Sequence, residues 1–188
     1  AFFCSCQHSS RCMYASKDYL ICQAGPDTSL TEMARQHYGS EKAVWRIEDA
    51  NESIDLSDSA FITVPLKERH RGGLFETGYQ NIPILCYHKF GPDNNSALNT
   101  PPDVFRQQMR HLKENGFRVI TPSDLLEFLT FQRQIPKKAV MITIDDGFKS
   151  AFTVAAPILM EFGFSATLFV YTDYIGISKK AITWDELR

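Results

Sequence analysis

The stretch Ala139-Val140-Met141-Ile142-Thr143-Ile144-Asp145-Asp146-Gly147-Phe148 decides how this chain is read. Its first part is near-continuously apolar, which predicts a strand covered on both faces, as in a parallel sheet. Two neighbouring carboxylates and a glycine follow at the strand end. Adjacent like charges repel unless a cation or water intervenes. A strand end sends successive side chains in different directions, so one carboxylate can bind a metal while the other stays beside it as a base. Gly147 lets the backbone turn without a Cβ clash. The same three residues also suit an exposed Asp-Asp-Gly turn, and spacing alone leaves both readings open.

The flanking sequence repeats the strand-then-helix pattern. Ile82 to Tyr87 is an apolar strand. Pro101-Pro102 opens a helix to Asn115 with Phe105, Met109 and Leu112 inward, and Gly116 stops it. Phe117 to Ile120 is a short strand, and Thr121 or Ser123 starts a helix carrying Leu125, Leu126, Phe128 and Leu129. Lys149 to Phe162 predicts a helix with Phe152, Ala155, Ala156 and Leu159 inward, ended by Gly163. Ser165 to Tyr171 is another strand, and Thr183-Trp184-Asp185-Glu186 fits a capping box. These are βα units of the α/β class, arranged as a partial barrel or an open doubly wound sheet. In either arrangement the chemistry lies beyond the C-terminal strand ends.

The N-terminal part has another order. Tyr19 to Gln23 is a strand ending at the turn Gly25-Pro26-Asp27. Asp27 or Thr28 caps a helix to about His37, with Gly39 as its stop, and Glu41 to Asn51 is a second helical run. Phe61 to Pro65 closes as a strand. This βααβ order buries little core and is marginal by itself. Residues 19–68 carry nine acidic and four basic side chains, against twelve acidic and fourteen basic over 69–188. The predicted organisation is a tail at 1–17, a small module at 18–67, a Gly- and charge-rich linker at 68–80 and the α/β part at 81–188.

The chain has 188 residues, 44% hydrophobic and 22% charged, close to globular averages. A net charge of −2 argues against a nucleic-acid partner. No apolar run approaches the ~18 residues of a membrane span. There are five cysteines. Cys22 and Cys86 lie in apolar runs and read as small buried core residues. Cys4, Cys6 and Cys12 crowd the N-terminus; with His8 they draw a minor zinc alternative, and Phe2-Phe3-Cys4 has the look of an export-signal remnant. The chain begins with Ala1, which reads as a processed or partial sequence.

Two resemblances sharpen these readings. Gly25, Asp27, Thr28, Leu30, Ala34, Tyr38, Gly39, Trp45, Ile47, Asn51 and Val64-Pro65 resemble a LysM module, a binder of N-acetylglucosamine-containing glycans. The resemblance implies a groove between Asp27-Thr28-Ser29 and Ile54-Asp55-Leu56, with Pro26 departing from the family's usual turn. Tyr38 and Trp45 are read as core aromatics instead. Ile142 to Phe148 resembles the first motif of polysaccharide deacetylases, the NodB-homology carbohydrate esterases. Ile84 to His88, Phe105 to Thr121, Ala156 to Leu159, Gly163 to Val170 and Thr183 to Leu187 extend the likeness, with Ile144 where an aromatic is more common.

That resemblance implies a partial (β/α) barrel, a divalent metal with zinc as the expectation, and hydrolysis of N-acetyl groups from an N-acetylated polysaccharide. Asp145 would be the general base, Asp146 a metal ligand, and His88 a cleft residue that contacts substrate or simply packs with Tyr87 and Phe90. The family's other two ligands are a His-x-x-x-His pair. His8, His37, His70, His88 and His111 include no such pair, so the 188 residues alone are expected to be inactive. A cell-envelope or secreted location follows from the glycan target. Two rivals stand beside this reading: a non-catalytic wall-glycan adaptor, and a phosphoryl-transfer enzyme with magnesium on the Asp pair.

Overall fold

A computed structural model describes residues 11–25, 27–52, 60–68, 71–75, 78–92 and 96–188. The chain divides into two compact units, Ala1–His70 and Arg71–Arg188.

In the first unit, strands β1 (Arg11–Ala15), β2 (Tyr19–Gln23) and β3 (Phe61–Pro65) form an antiparallel sheet in the order β1-β2-β3. Helices α1 (Leu30–Tyr38) and α2 (Trp45–Ala50) lie between β2 and β3 in sequence, joined by a 3₁₀ turn at Glu41–Ala43. The strand-helix-helix-strand order is as read from the sequence. β1 is an addition, formed by residues that read as tail. Cys12 stands opposite Cys22 in the β1·β2 register and the two are disulfide-bonded. Cys22 is fully buried as expected, but it is a bridge half rather than a free thiol. Alternation sets the core: Ile62 and Val64 face inward against Met33, Ala34 and Ile47.

The capping of α1 differs from the sequence reading by one or two residues. Ser29 is the N-cap, its hydroxyl accepting from the Glu32 amide at 3.3 Å. Thr28 instead closes the preceding turn, accepting from the Gly25 amide at 2.7 Å. Gly39 ends the helix in the left-handed conformation, as predicted. Asn51 joins α2 to β3. Its side chain donates to Ile47 O at 2.6 Å and Thr63 O at 2.7 Å, and accepts from Thr63 N at 2.9 Å.

The second unit opens with a hairpin, β4 (Leu74–Phe75) and β5 (Gly78–Tyr79), inside the stretch that reads as a linker. Gln80 anchors it by donating to the carbonyls of Pro136 and Lys137. Then come β6 (Ile84–Tyr87), the short parallel pair β7 (Lys89–Phe90) and β8 (Asn99–Thr100), α3 (Pro102–Glu114), β9 (Arg118–Val119), α4 (Pro122–Leu129), β10 (Ala139–Ile144), α5 (Ala156–Phe162) and β11 (Thr167–Leu168). β10 is buried along its whole length and pairs in parallel with β6, β9 and β11. Carbonyls of Lys138, Val140 and Ile144 accept from β9 or from the end of β11, whereas the amides of Met141 and Asp145 donate toward β6. β9 and β11 therefore follow one another along one flank of β10, and β6 holds the other.

Phe105, Met109 and Leu112 of α3 are buried in the core with Ile142 and Ile144, as their spacing requires. The helix after the Asp pair departs from expectation. Ala151–Ala155 is a π turn leading into α5, with Ala156 N bonded back to Ala151 O. Pro157 has no amide to continue the ladder, and the widened turn shifts the register. Ala151, Ala155, Ile158 and Leu159 face the core, while Phe152 is exposed. The predicted strand 165–171 shortens to Thr167–Leu168. The capping-box bonds between Thr183 and Glu186 are present, on a turn rather than a helix.

Candidate active site

The site is set by register. Ile144 pairs with Tyr87, and the next amide, Asp145 N, donates to Tyr87 O at 2.8 Å. The ends of β6 and β10 are thus level. Cys86 and His88 are two residues apart, and strand periodicity puts them on one side. Asp145 meets them there: one donor atom from each of Cys86, His88 and Asp145 lies within 4.8 Å of the others. The Cys86 thiol donates to Asp145 Oδ2 at 3.4 Å. Asp145 Oδ1 is buried and, among the described residues, has no hydrogen-bond partner. A hydrogen bond with the Thr143 side chain pulls the Cys86 thiol downward. Desolvation and the Asp145 and Asp146 carboxylates outweigh it, leaving the thiol above its ordinary value.

Asp146 goes elsewhere. Its φ is +70° and that of Gly147 is +69°, so two successive left-handed residues reverse the chain. For an aspartate this conformation costs on the order of 1 kcal/mol. The turn is tied down by Ile182 N donating to Gly147 O at 2.9 Å. A Cβ on Gly147 would lie 3.2 Å from Val170 Cγ1, so the position favours glycine by both conformation and space. Asp146 lines a cavity of about 470 Å³ shared with Phe148, Tyr171, Tyr174 and Lys180. Tyr171 and Tyr174 are exposed and meet edge to face at 6.0 Å. Aromatic walls and a few polar groups suit a ligand with apolar faces and polar edges.

The structure therefore brings His88 and Asp145 together and turns Asp146 away toward the cavity. Tyr87 and Phe90 do not pack as partners for His88 alone: Tyr87 meets Phe105 edge to face at 4.9 Å and Phe90 meets it at a tilt at 4.7 Å. Cys86 is exposed, not a core residue, because β6 is covered on one side only at this position. It is a site residue that sequence reasoning missed. Its signal was the two-residue spacing to His88. Tyr171, Tyr174 and Lys180 were also missed: Tyr171 reads as a strand end, and no periodicity marks the 3₁₀ turn Thr172–Tyr174 and the loop after it. In the first unit, Asp27 is exposed, and the hydroxyls of Thr28 and Ser29 are engaged by their own backbone. Ile54 and its neighbours in the groove reading lie outside the described residues.

Comparisons with known proteins show what this site is similar to. Residues 132–188, which hold β10, the Asp pair and the cavity wall, match the family model for polysaccharide deacetylase. Putative polysaccharide deacetylase YxkH of Bacillus subtilis (strain 168) is 33% identical over 107 residues, 57% of this chain and 37% of that protein. Poly-beta-1,6-N-acetyl-D-glucosamine N-deacetylase of Escherichia coli (strain K12) is 36% identical over 69 residues, 37% of this chain and 10% of that protein. Among solved structures, Streptococcus pyogenes deacetylase PplD in complex with acetate superposes with a TM-score of 0.53 at 30% identity, covering 56% of this chain and 50% of that one. IcaB from Ammonifex degensii gives 0.53 at 27%, covering 57% and 47%. The chain spans 37% and 10% of the length of these curated relatives. Residues 132–188 are thus similar to polysaccharide deacetylases, and they lie on an α/β fold.

Proposed function

We propose that the protein removes N-acetyl groups from an N-acetylglucosamine-containing polysaccharide, of the peptidoglycan, chitin-like or poly-N-acetylglucosamine kind. The observation that carries this reading is the Asp145-Asp146 pair at the end of the fully buried β10, inside the segment that matches the family model. Its two carboxylates diverge, which division of labour requires. Asp145 takes a proton from the attacking water as general base. Its Oδ1, buried and without a partner among the described residues, is left available to accept that proton. Asp146, at the cavity, is a ligand of a divalent metal, zinc by expectation. When bound, such a metal lowers the pKa of water and polarises the acetamide carbonyl. Tyr171 and Tyr174 offer ring faces to sugar residues along the same cavity.

The second unit in this reading is the opening part of a (β/α) barrel, with β6, β9, β10 and β11 as parallel staves. The first unit is a LysM-like tether, supported by its strand-helix-helix-strand order. Tethering raises the local substrate concentration without altering the chemistry. The Cys12–Cys22 disulfide supports a cell-envelope or secreted location, because such bonds persist in oxidising compartments. Three protein ligands make a catalytic zinc site, and these 188 residues hold no histidine pair at the family's spacing.

Acetate release tests the proposal. In a longer protein carrying that pair, Asp145→Asn and Asp146→Asn each lower the rate by ~10²-fold or more on N-acetylglucosamine polymers. Unchanged rates in both variants overturn the assignment. The 188-residue chain alone releases no acetate.

A further inference from the structure

The Cys86-His88-Asp145 cluster uses a different donor set from the ligand role proposed for Asp146. We propose that Cys86, His88 and Asp145 form a binding site for a soft divalent cation of the zinc and cadmium class. The three donors are a thiol, an imidazole and a carboxylate, which zinc takes together in tetrahedral sites. They come from the level ends of adjacent parallel strands, so backbone pairing has already placed them. Their donor atoms lie within 4.8 Å of one another. Ligands around one tetrahedral zinc stand about 3–4 Å apart, so small side-chain rotations suffice.

A second observation points to a cation. Asp145 Oδ1 is buried without a partner among the described residues, and Oδ2 has only a weak thiol donor at 3.4 Å. Buried carboxylate oxygens are normally satisfied by donors or by a metal. A cation here supplies what the protein does not. Cys86 is exposed, so the cation has an entry path and the thiol proton leaves to solvent as the metal–thiolate bond forms. The fourth tetrahedral position stays open. Filling the site takes the Asp145 carboxylate out of use as a base. The base role of Asp145 rests on the proposed function; the cation site does not.

Cadmium titration of the 188-residue chain reads the site directly through the ultraviolet thiolate-to-metal charge-transfer band. Cys4 and Cys6 are first replaced by serine, which leaves Cys86 as the sole thiol outside the disulfide. The band is expected at one equivalent per chain, displaced by zinc. Cys86→Ser abolishes it. His88→Ala and Asp145→Asn each weaken binding by about tenfold or more. Asp146→Asn keeps the band at one equivalent per chain. A missing band, or one that survives Cys86→Ser, overturns the proposal. Loss of the band in Asp146→Asn also overturns it, placing the cation at Asp146, while the deacetylase reading stands. Acetate release that fails in a protein carrying the histidine pair, with the band intact, overturns the deacetylase reading and leaves the cation site.

Discussion

Asn51 in the first unit and Asp145 in the second are both carried into partly or fully buried surroundings by a neighbouring strand, and they are treated in opposite ways. Asn51 is 8% exposed, and both its amide nitrogen and its oxygen are used, clasping Ile47 and both backbone groups of Thr63. Asp145 keeps one oxygen buried without a partner and the other on a weak donor. The neighbouring turn adds an aspartate in the left-handed region. Thr28, Ser29 and the Tyr38 hydroxyl likewise close bonds within the first unit. A unit that satisfies its own polar groups is built for persistence. A strand end that leaves them short is where a ligand completes the structure.

Asn51→Ala tests the first half of that contrast and carries the largest effect. It strips three hydrogen bonds and leaves Thr63 N–H and C=O short of partners. Stability of the first unit falls by about 3 kcal/mol, read as a lower urea midpoint and faster amide exchange across β3. Exchange in β10 stays as it was. A loss below ~1 kcal/mol would mean that Asn51 is replaceable by water, and the contrast with Asp145 would weaken.

Reducing the Cys12–Cys22 bridge comes next. It closes a short loop, with a sequence separation of 10, and its removal costs the first unit about 2–3 kcal/mol. The effect is confined to β1 and β2, and amide exchange after treatment with a reductant maps it. Equal deprotection of the second unit would show that the two units do not unfold separately.

Asp145→Ala inverts the sign. Removing a buried, unpartnered oxygen beside a second carboxylate raises the stability of the second unit by about 1 kcal/mol, while any function of the carboxylate is lost. Thermal melting of the metal-free protein measures it. A destabilised variant would mean that Asp145 holds the strand end together, and the site would then be structural.

What the sequence discloses and what it hides follow one physical division. β10, the α3 stripe and the left-handed stops at Gly39, Gly116 and Gly163 are legible because each depends on residues within a turn or a strand of one another. β1 and the disulfide are hidden, since pairing Arg11–Ala15 with β2 is a tertiary choice that exposed β1 residues do not announce. The hairpin Leu74–Tyr79 is hidden for the same reason, its anchor being Gln80 on the distant carbonyl of Pro136. Phe152 is misplaced because Pro157 acts upstream of itself, widening a turn that a uniform 3.6-residue period cannot represent. At the site, the presence of two carboxylates is legible. Their separation is not, because it depends on the backbone reversal at Asp146 and Gly147 and on β6 bringing Cys86 and His88 level with Asp145.

The smallest effect asks whether the two units, so different at Asn51 and Asp145, respond alike where their chemistry is alike. Burial pushes Tyr38 up to about 12, against an opposing pull from Arg46, and burial pushes Tyr87 up to about 12 as well, each from an ordinary 10.0. The folded state therefore holds these protons more tightly than the unfolded chain does. The stability this contributes is fully present below pH 10 and is lost as pH rises through 10 toward 12. Amide exchange should accelerate in both units over that interval. Tyr38→Phe costs the first unit about 1 kcal/mol at neutral pH by removing the bond to Pro65 O, and it flattens the alkaline decline there. The second unit, whose Tyr87 hydroxyl donates to Gln108, keeps its decline. An alkaline slope in the first unit that survives Tyr38→Phe would assign the titration to another group and break the parallel between the two tyrosines.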